Sequence, residues 1–285
     1  MSPPTDAIAS GTSPDVLILG CGYLGQRVAA RWLAAGRHVA ALTRSHGDAL
    51  RAQGIEPLIG DVLDPRSLEG LPRVATVLYA IGLDRTAGHS MRDVYVHGLA
   101  NVLNALPEPE RLIYVSSTSV YGQTDGGWVD ETSPTEPRED SGRVVRDAET
   151  LLRSRLPRAI VLRFAGLYGP NRFLRRAAMF ESGEPIRSNP EGYLNLVHVE
   201  DGAAAVLMAE AKAVPGETYL VADDEPVTRR AFYTRLAELL GTPQAKFEPG
   251  TQPEANRRIA NRKLRSLGWS PTFPSYREGL ENALG

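Results

Sequence analysis

Between residues 15 and 165, short apolar runs alternate with longer amphipathic stretches. VLILG (16–20), HVAALT (38–43), IEPLIG (55–60), VATVLYAIG (74–82), RLIYVSS (111–117) and AIVLRFA (159–165) stand out as strand-length apolar runs. Strands that are apolar on consecutive positions are buried on both faces, as in a parallel sheet covered by helices. Helical periodicity fills the gaps, notably over 23–35 and about 92–106. The repeated β-α-β order predicts an α/β fold with a Rossmann-type, doubly wound parallel sheet over 15–165. After Gly166 turn residues crowd in, and NLVHVEDGAAAVLMAE reads as a strand leading into a helix. GETYLVADDE with TRRAFYTRLAELLG repeats that order, and a further helix is expected over 256–267. No long linker intervenes, so 166–285 is expected to pack on the sheet edge as a smaller substrate lobe, with a ligand cleft between the two parts. Residues 1–14 lack both basic residues and an apolar core, which reads as a disordered leader rather than a secretory signal.

Composition narrows the function without naming it. A net charge of −2 gives no reason to expect nucleic acid or an anionic membrane as partner. No apolar run approaches the ~18 residues of a membrane span. The single cysteine, Cys21, fits a reducing compartment, and a cytoplasmic location is expected. The histidines are scattered and no His/Cys spacing suggests a metal. Arg175-Arg176, Arg257-Arg258 and the acidic Asp223-Asp224-Glu225 read as solvated surface.

The first apolar run leads directly into Gly20-Cys21-Gly22-Tyr23-Leu24-Gly25 and then a helix. That context is what a dinucleotide site requires. Gly20 permits the tight turn, Gly22 lets backbone approach a pyrophosphate, and Gly25 lets helix pack on strand. The helix N-terminus supplies free N–H groups and a positive dipole. An NAD site expects a carboxylate at the end of the second strand, where this chain has Thr43-Arg44-Ser45. Arg44, helped by Thr43 and Ser45, suits the 2′-phosphate of NADP, so NADP is expected ahead of NAD. One charge-assisted hydrogen bond of roughly 1.5–3 kcal/mol corresponds to a ten- to hundredfold preference.

GCGYLG, GDVLDP (60–65), YAIG (79–82), YVSSTSVYG (114–122), LRFAGLYGP (162–170) and NLVHVED (195–201) together resemble the extended short-chain dehydrogenases/reductases of the NAD-dependent epimerase/dehydratase family. In detail the chain is similar to the atypical YeeZ-like subgroup. The resemblance implies that Asp61 and Val62 contact adenine and that Ala80, Ile81 and Gly82 line the middle of the cofactor. It places Ser116 and Ser117 near the nicotinamide, with Ser117 at the position of the catalytic Ser or Thr. Arg163, Arg172 and Asn195 are candidates for substrate contact. A small-molecule substrate, such as a nucleotide-linked sugar or another carbonyl or hydroxyl compound, is implied, and a homodimer through 90–106 and 141–155 follows by analogy.

The family's central helix carries Tyr-x-x-x-Lys, commonly followed by Glu four residues later. In EDSGRVVRDAE (139–149), anchoring on Glu149 puts Ser141 at the Tyr position and Val145 at the Lys position. No shift restores the pair, because the first lysine in the chain is Lys212. An unassisted tyrosine, with a pKa near 10, is about one part in a thousand ionised at neutral pH. Losing a positioned general acid/base removes about 10²–10⁴ in rate. Tyr168 in LYGPNR is a candidate replacement, although Pro170 makes its spacing to Arg172 that of a loop. His198 reads as a structural histidine. Two functions therefore stand: an NADP-dependent oxidoreductase or epimerase with a non-standard acid/base, and a non-catalytic NADP-binding sensor or scaffold.

Overall fold

The computed structural model describes residues 13–250 and 254–284, without the side chains of 174–176. Residues 1–12 of the expected leader lie outside this range. The central sheet comprises β1 (Val16–Leu19), β2 (Val39–Thr43), β3 (Glu56–Ile59), β4 (Thr76–Tyr79), β5 (Arg111–Ser117), β6 (Ile160–Phe164) and β7 (Thr218–Val221). Their order is β7-β6-β5-β4-β1-β2-β3, all parallel. The chain runs outward in opposite directions from β1 and β4, so a crevice opens beyond their carboxyl ends, where such sheets bind ligands.

Burial explains the consecutive apolar runs. Val16 and Ile18 face α1 (Gly25–Ala34) and share a core with Val28 and Trp32, while Leu17 and Leu19 point to the other face, with Val77, Tyr79 and Leu99. Both faces of β1 are fully enclosed. The outermost strand β3 carries Pro57 and an exposed Ile59, as an edge tolerates. The remaining helices are α2 (Gly47–Ala52), α3 (Gly98–Ala105), α4 (Asp140–Arg155), α5 (Leu174–Ser182), α6 (Val199–Lys212), α7 (Arg229–Leu240), α8 (Arg262–Ser266) and α9 (Tyr276–Leu284). Among the described residues no helix is long and apolar enough to cross a membrane.

Several details depart from the sequence reading. The strand in GETYLVADDE belongs to the main sheet: Tyr219 pairs with Leu162 and Val221 with Phe164. Segment 166–285 therefore supplies β7, while Phe180, Phe232, Leu236 and Leu280 form its own cluster. The helix expected over 92–106 begins as a π-helical turn at Asp93–His97 before α3. Over 256–267, a short strand Arg258–Ile259 pairs with Trp128–Val129 before α8 starts. Arg257 and Arg258 are not simply solvated: Arg257 donates to the Thr118 carbonyl at 2.7 Å, and Arg258 lies over the Trp128 and Tyr193 rings. Asp223 is buried rather than part of a solvated turn, while Asp224 and Glu225 pair with Arg265 and Arg277.

Candidate functional site

The glycine loop closes tightly behind and opens in front. Gly20 has φ +97°, and a Cβ there would stand 2.5 Å from the Ala80 carbonyl oxygen. A Cβ on Gly25 would stand 2.5 Å from the Gly20 carbonyl oxygen. These two positions exclude any side chain because the loop, β4 and α1 converge there. At Gly22 an added Cβ meets nothing within 4 Å. The open side faces the crevice, and α1 starts beyond it with neither a side-chain cap nor an acidic residue in its first turn. The positive end of the α1 dipole beside an open glycine fits a diphosphate, while the N–H groups of Gln26, Arg27 and Val28 already donate to the Gly22 and Leu24 carbonyls.

This crevice is a cleft of about 660 Å³, within the size range of cofactor sites. Gly20, Gly22, Tyr23 and Leu24 line one part of the cleft, and Ala80, Ile81 and Gly82 adjoin them. Thr43, Arg44, Asp61 and Val62 line the far end. The Asp61 carboxylate accepts from Leu63 N at 2.9 Å, which holds that loop in place. Gly98 admits Val62 to the wall: a Cβ there would lie 2.8 Å from Val62 Cγ2. Gly25 is behind the wall, and Ser45 is exposed beside it, its hydroxyl 3.4 Å from His46 Nδ1.

Ser116, Ser117 and Val145 meet at the other end of the cleft. Ser117 caps a short turn, its Oγ accepting from Ser119 N at 3.1 Å, which leaves its own hydrogen available to a ligand. Ser116 is buried and donates to Glu149. Val145 and Glu149 are one helical turn apart on α4, and both face β5. Ser141 lies a turn earlier, 3.3 Å from Glu139, and is not among the residues lining the cleft. Burial raises the pKa of the tyrosines Tyr23 and Tyr114 that line the cleft. Burial also pushes the Cys21 thiol up to about 11.

Residues 16–222 match the description of the NAD dependent epimerase/dehydratase family, more than half of the chain. The chain belongs to that family. Protein YeeZ of Escherichia coli K12 is 30% identical over 91% of this chain and 96% of its own length. A Streptomyces 3-diazoavenalumate denitrifying reductase is 26% identical, covering 93% and 98%. A solved Methylobacillus flagellatus structure assigned as an NAD-dependent epimerase/dehydratase is 31% identical, with a TM-score of 0.74 and coverage of 96% and 98%. The cleft is the candidate nicotinamide dinucleotide site of this epimerase/dehydratase fold.

Three candidates for chemistry in this epimerase/dehydratase chain are instead structural. Arg163 is buried, with Nη2 2.7 Å from Glu149 and Nη1 donating to the Tyr121 hydroxyl at 2.7 Å. Its charge is spent inside the protein and does not reach a substrate. Asn195 donates to the Arg257 carbonyl at 2.9 Å and accepts from Ile259 N at 2.7 Å, so both ends of its carboxamide are used. Tyr168 is buried against Phe173 and His198, and burial raises its pKa, which disqualifies it as a base at neutral pH. His198 is fully enclosed, its Nδ1 accepting from Glu200 N at the start of α6.

Arg172 does line the cleft, stacked on Tyr23. Asp84 was invisible to sequence reasoning. It bonds Arg44 at 2.7 Å from a loop 40 residues away, and nothing local signals that pairing.

Proposed function

We propose that this epimerase/dehydratase-family chain is an NADP-dependent oxidoreductase or epimerase acting on a small or nucleotide-linked sugar-type substrate. The observation that carries the reading is the single cleft that joins the open glycine cradle to the Ser117 hydroxyl. A bound nicotinamide supplies or accepts hydride. Ser117 holds the substrate oxygen through its free hydrogen, and the buried Glu149–Arg163 pair keeps the end of β5 in place. The Streptomyces relative named as a reductase supports net reduction. At the position of the family's lysine stands Val145, so proton transfer runs through water or the substrate itself, at a cost of about 10²–10⁴ in rate.

Arg44 at the far end of the cleft supports NADP over NAD, with Asp84 as an internal competitor for its charge. The same absence of a poised acid/base favours the second reading, a non-catalytic NADP-binding sensor or scaffold. The test is hydride exchange: purified protein, deuterated NADPH and a metabolite extract, with mass spectrometry of the products. Deuterium transfer by wild type that falls with Ser117→Ala supports the enzyme. No transfer at confirmed NADPH occupancy selects the binding module.

A further inference from the structure

Two arginines line the cleft, and they differ in what neutralises them. Arg44 has Asp84. Among the described residues no carboxylate pairs with Arg172. Arg172 is held by an aromatic ring instead: its Cζ stands 4.1 Å from the centroid of Tyr23. Arg27 lies over the same ring at 4.3 Å, but its charge is matched by Glu200 at 2.9 Å.

The position of Tyr23 gives this stacking its meaning. Tyr23 belongs to the glycine loop, directly after the open Gly22 and just ahead of the α1 N-terminus. Its hydroxyl donates to the Pro170 carbonyl at 3.0 Å, fastening the 169–172 loop onto the cradle. The loop adopts an unusual backbone to reach it. Asn171 has φ 67°, and Gly169 has φ 147° with its missing Cβ only 2.7 Å from the Tyr23 hydroxyl. The loop follows the short strand Gly166–Tyr168 and carries an exposed guanidinium to the wall where the sheet's first turn opens.

A dinucleotide brings a diphosphate of two negative charges to that wall. The α1 dipole offers about half a positive charge. We propose that Arg172 clamps the diphosphate of the cofactor against the glycine-loop wall, rather than holding substrate. The assignment rests on the dinucleotide reading of the cleft. Stacking on Tyr23 restricts the guanidinium before the ligand arrives, which reduces the entropy lost on binding.

The test measures cofactor affinity and needs no substrate. NADPH fluorescence titrations compare wild type, Arg172→Gln and Arg172→Lys, and calorimetry repeats the series with ADP-ribose, which keeps the diphosphate and lacks nicotinamide. Removing a charge-assisted bond weakens NADPH about ten- to hundredfold in the glutamine variant. ADP-ribose weakens by a similar factor, and lysine recovers part of the loss. Wild-type affinity also falls more steeply with NaCl than that of the glutamine variant. Unchanged NADPH affinity in Arg172→Gln overturns the clamp, as does a loss confined to NADPH or a lysine variant no better than glutamine. Failure of wild type to bind NADPH or NADH at all is a different result, which removes the dinucleotide reading itself.

Discussion

The guanidinium of Arg44 and the carboxylate of Asp84 meet at 2.7 Å at the β2 end of the cleft. Hydrogen bonds from Thr86, and then from Arg44, hold Asp84 down to about 2, so it stays charged at any working pH. On the proposed reading, a 2′-phosphate bound at Arg44 would share it with a fixed anion. Asp84→Asn is expected to raise NADPH affinity a few-fold while leaving NADH nearly unchanged, and 0.5 M salt should shrink the gain. Parallel titrations check this. An unaltered NADPH/NADH ratio would show that Arg44 does not meet the phosphate.

Ser117 lines the cleft at the end of β5, and the proposed function makes its hydroxyl the substrate contact. Ser117→Ala removes one hydrogen bond to substrate and should lower kcat/KM roughly tenfold, with NADPH affinity unchanged. Steady-state kinetics on a product identified by deuterium transfer, alongside a cofactor titration, separates the two effects. Equal turnover in the variant would remove Ser117 from the site.

The buried pair Glu149–Arg163 joins α4 to β6 and reaches Ser116 and Tyr121. Glu149→Ala leaves a guanidinium enclosed without its counter-charge, at a cost of about 3–5 kcal/mol. Urea denaturation measures it. A change below 1 kcal/mol would mean that water reaches Arg163.

Asp223 is the clearest source of pH dependence. Both carboxylate oxygens are buried, and burial, with Asp224, Glu225 and Asp201 nearby, outweighs the Glu225 backbone N–H and pushes its pKa up to about 8. The native chain keeps this proton after the unfolded chain has released it, near pH 4. Stability is therefore lost as pH rises from about 4 to about 8, by up to ~1.4 kcal/mol per unit from this group. Asp223→Asn should be more stable than wild type at pH 7.5, with a smaller advantage at pH 5. Denaturation at both pH values tests this, and a pH-independent difference would refute the buried-acid account.

The strands, the glycine loop and the lack of any lysine before Lys212 were legible in the chain itself. The physical reason is that each depends on near neighbours. Consecutive apolar residues bury both faces of a strand, and Gly25 is demanded by the Gly20 carbonyl of its own turn, whereas the Ala80 contact that bars a side chain at Gly20 comes from the distant end of β4. Tertiary structure decided where charges and amides were spent. Arg163, Asn195 and Tyr168 carry suitable chemistry, yet folding brings Glu149, the 257–259 backbone and an aromatic cluster to them and consumes it. Arg44 acquires Asp84, Thr218–Val221 crosses to the main sheet, and Arg172 is laid on Tyr23. Each of those partners lies at least 40 residues away along the chain. Spacing encodes periodicity and local turns, whereas the partner of a buried or stacked polar group is set by packing between distant segments.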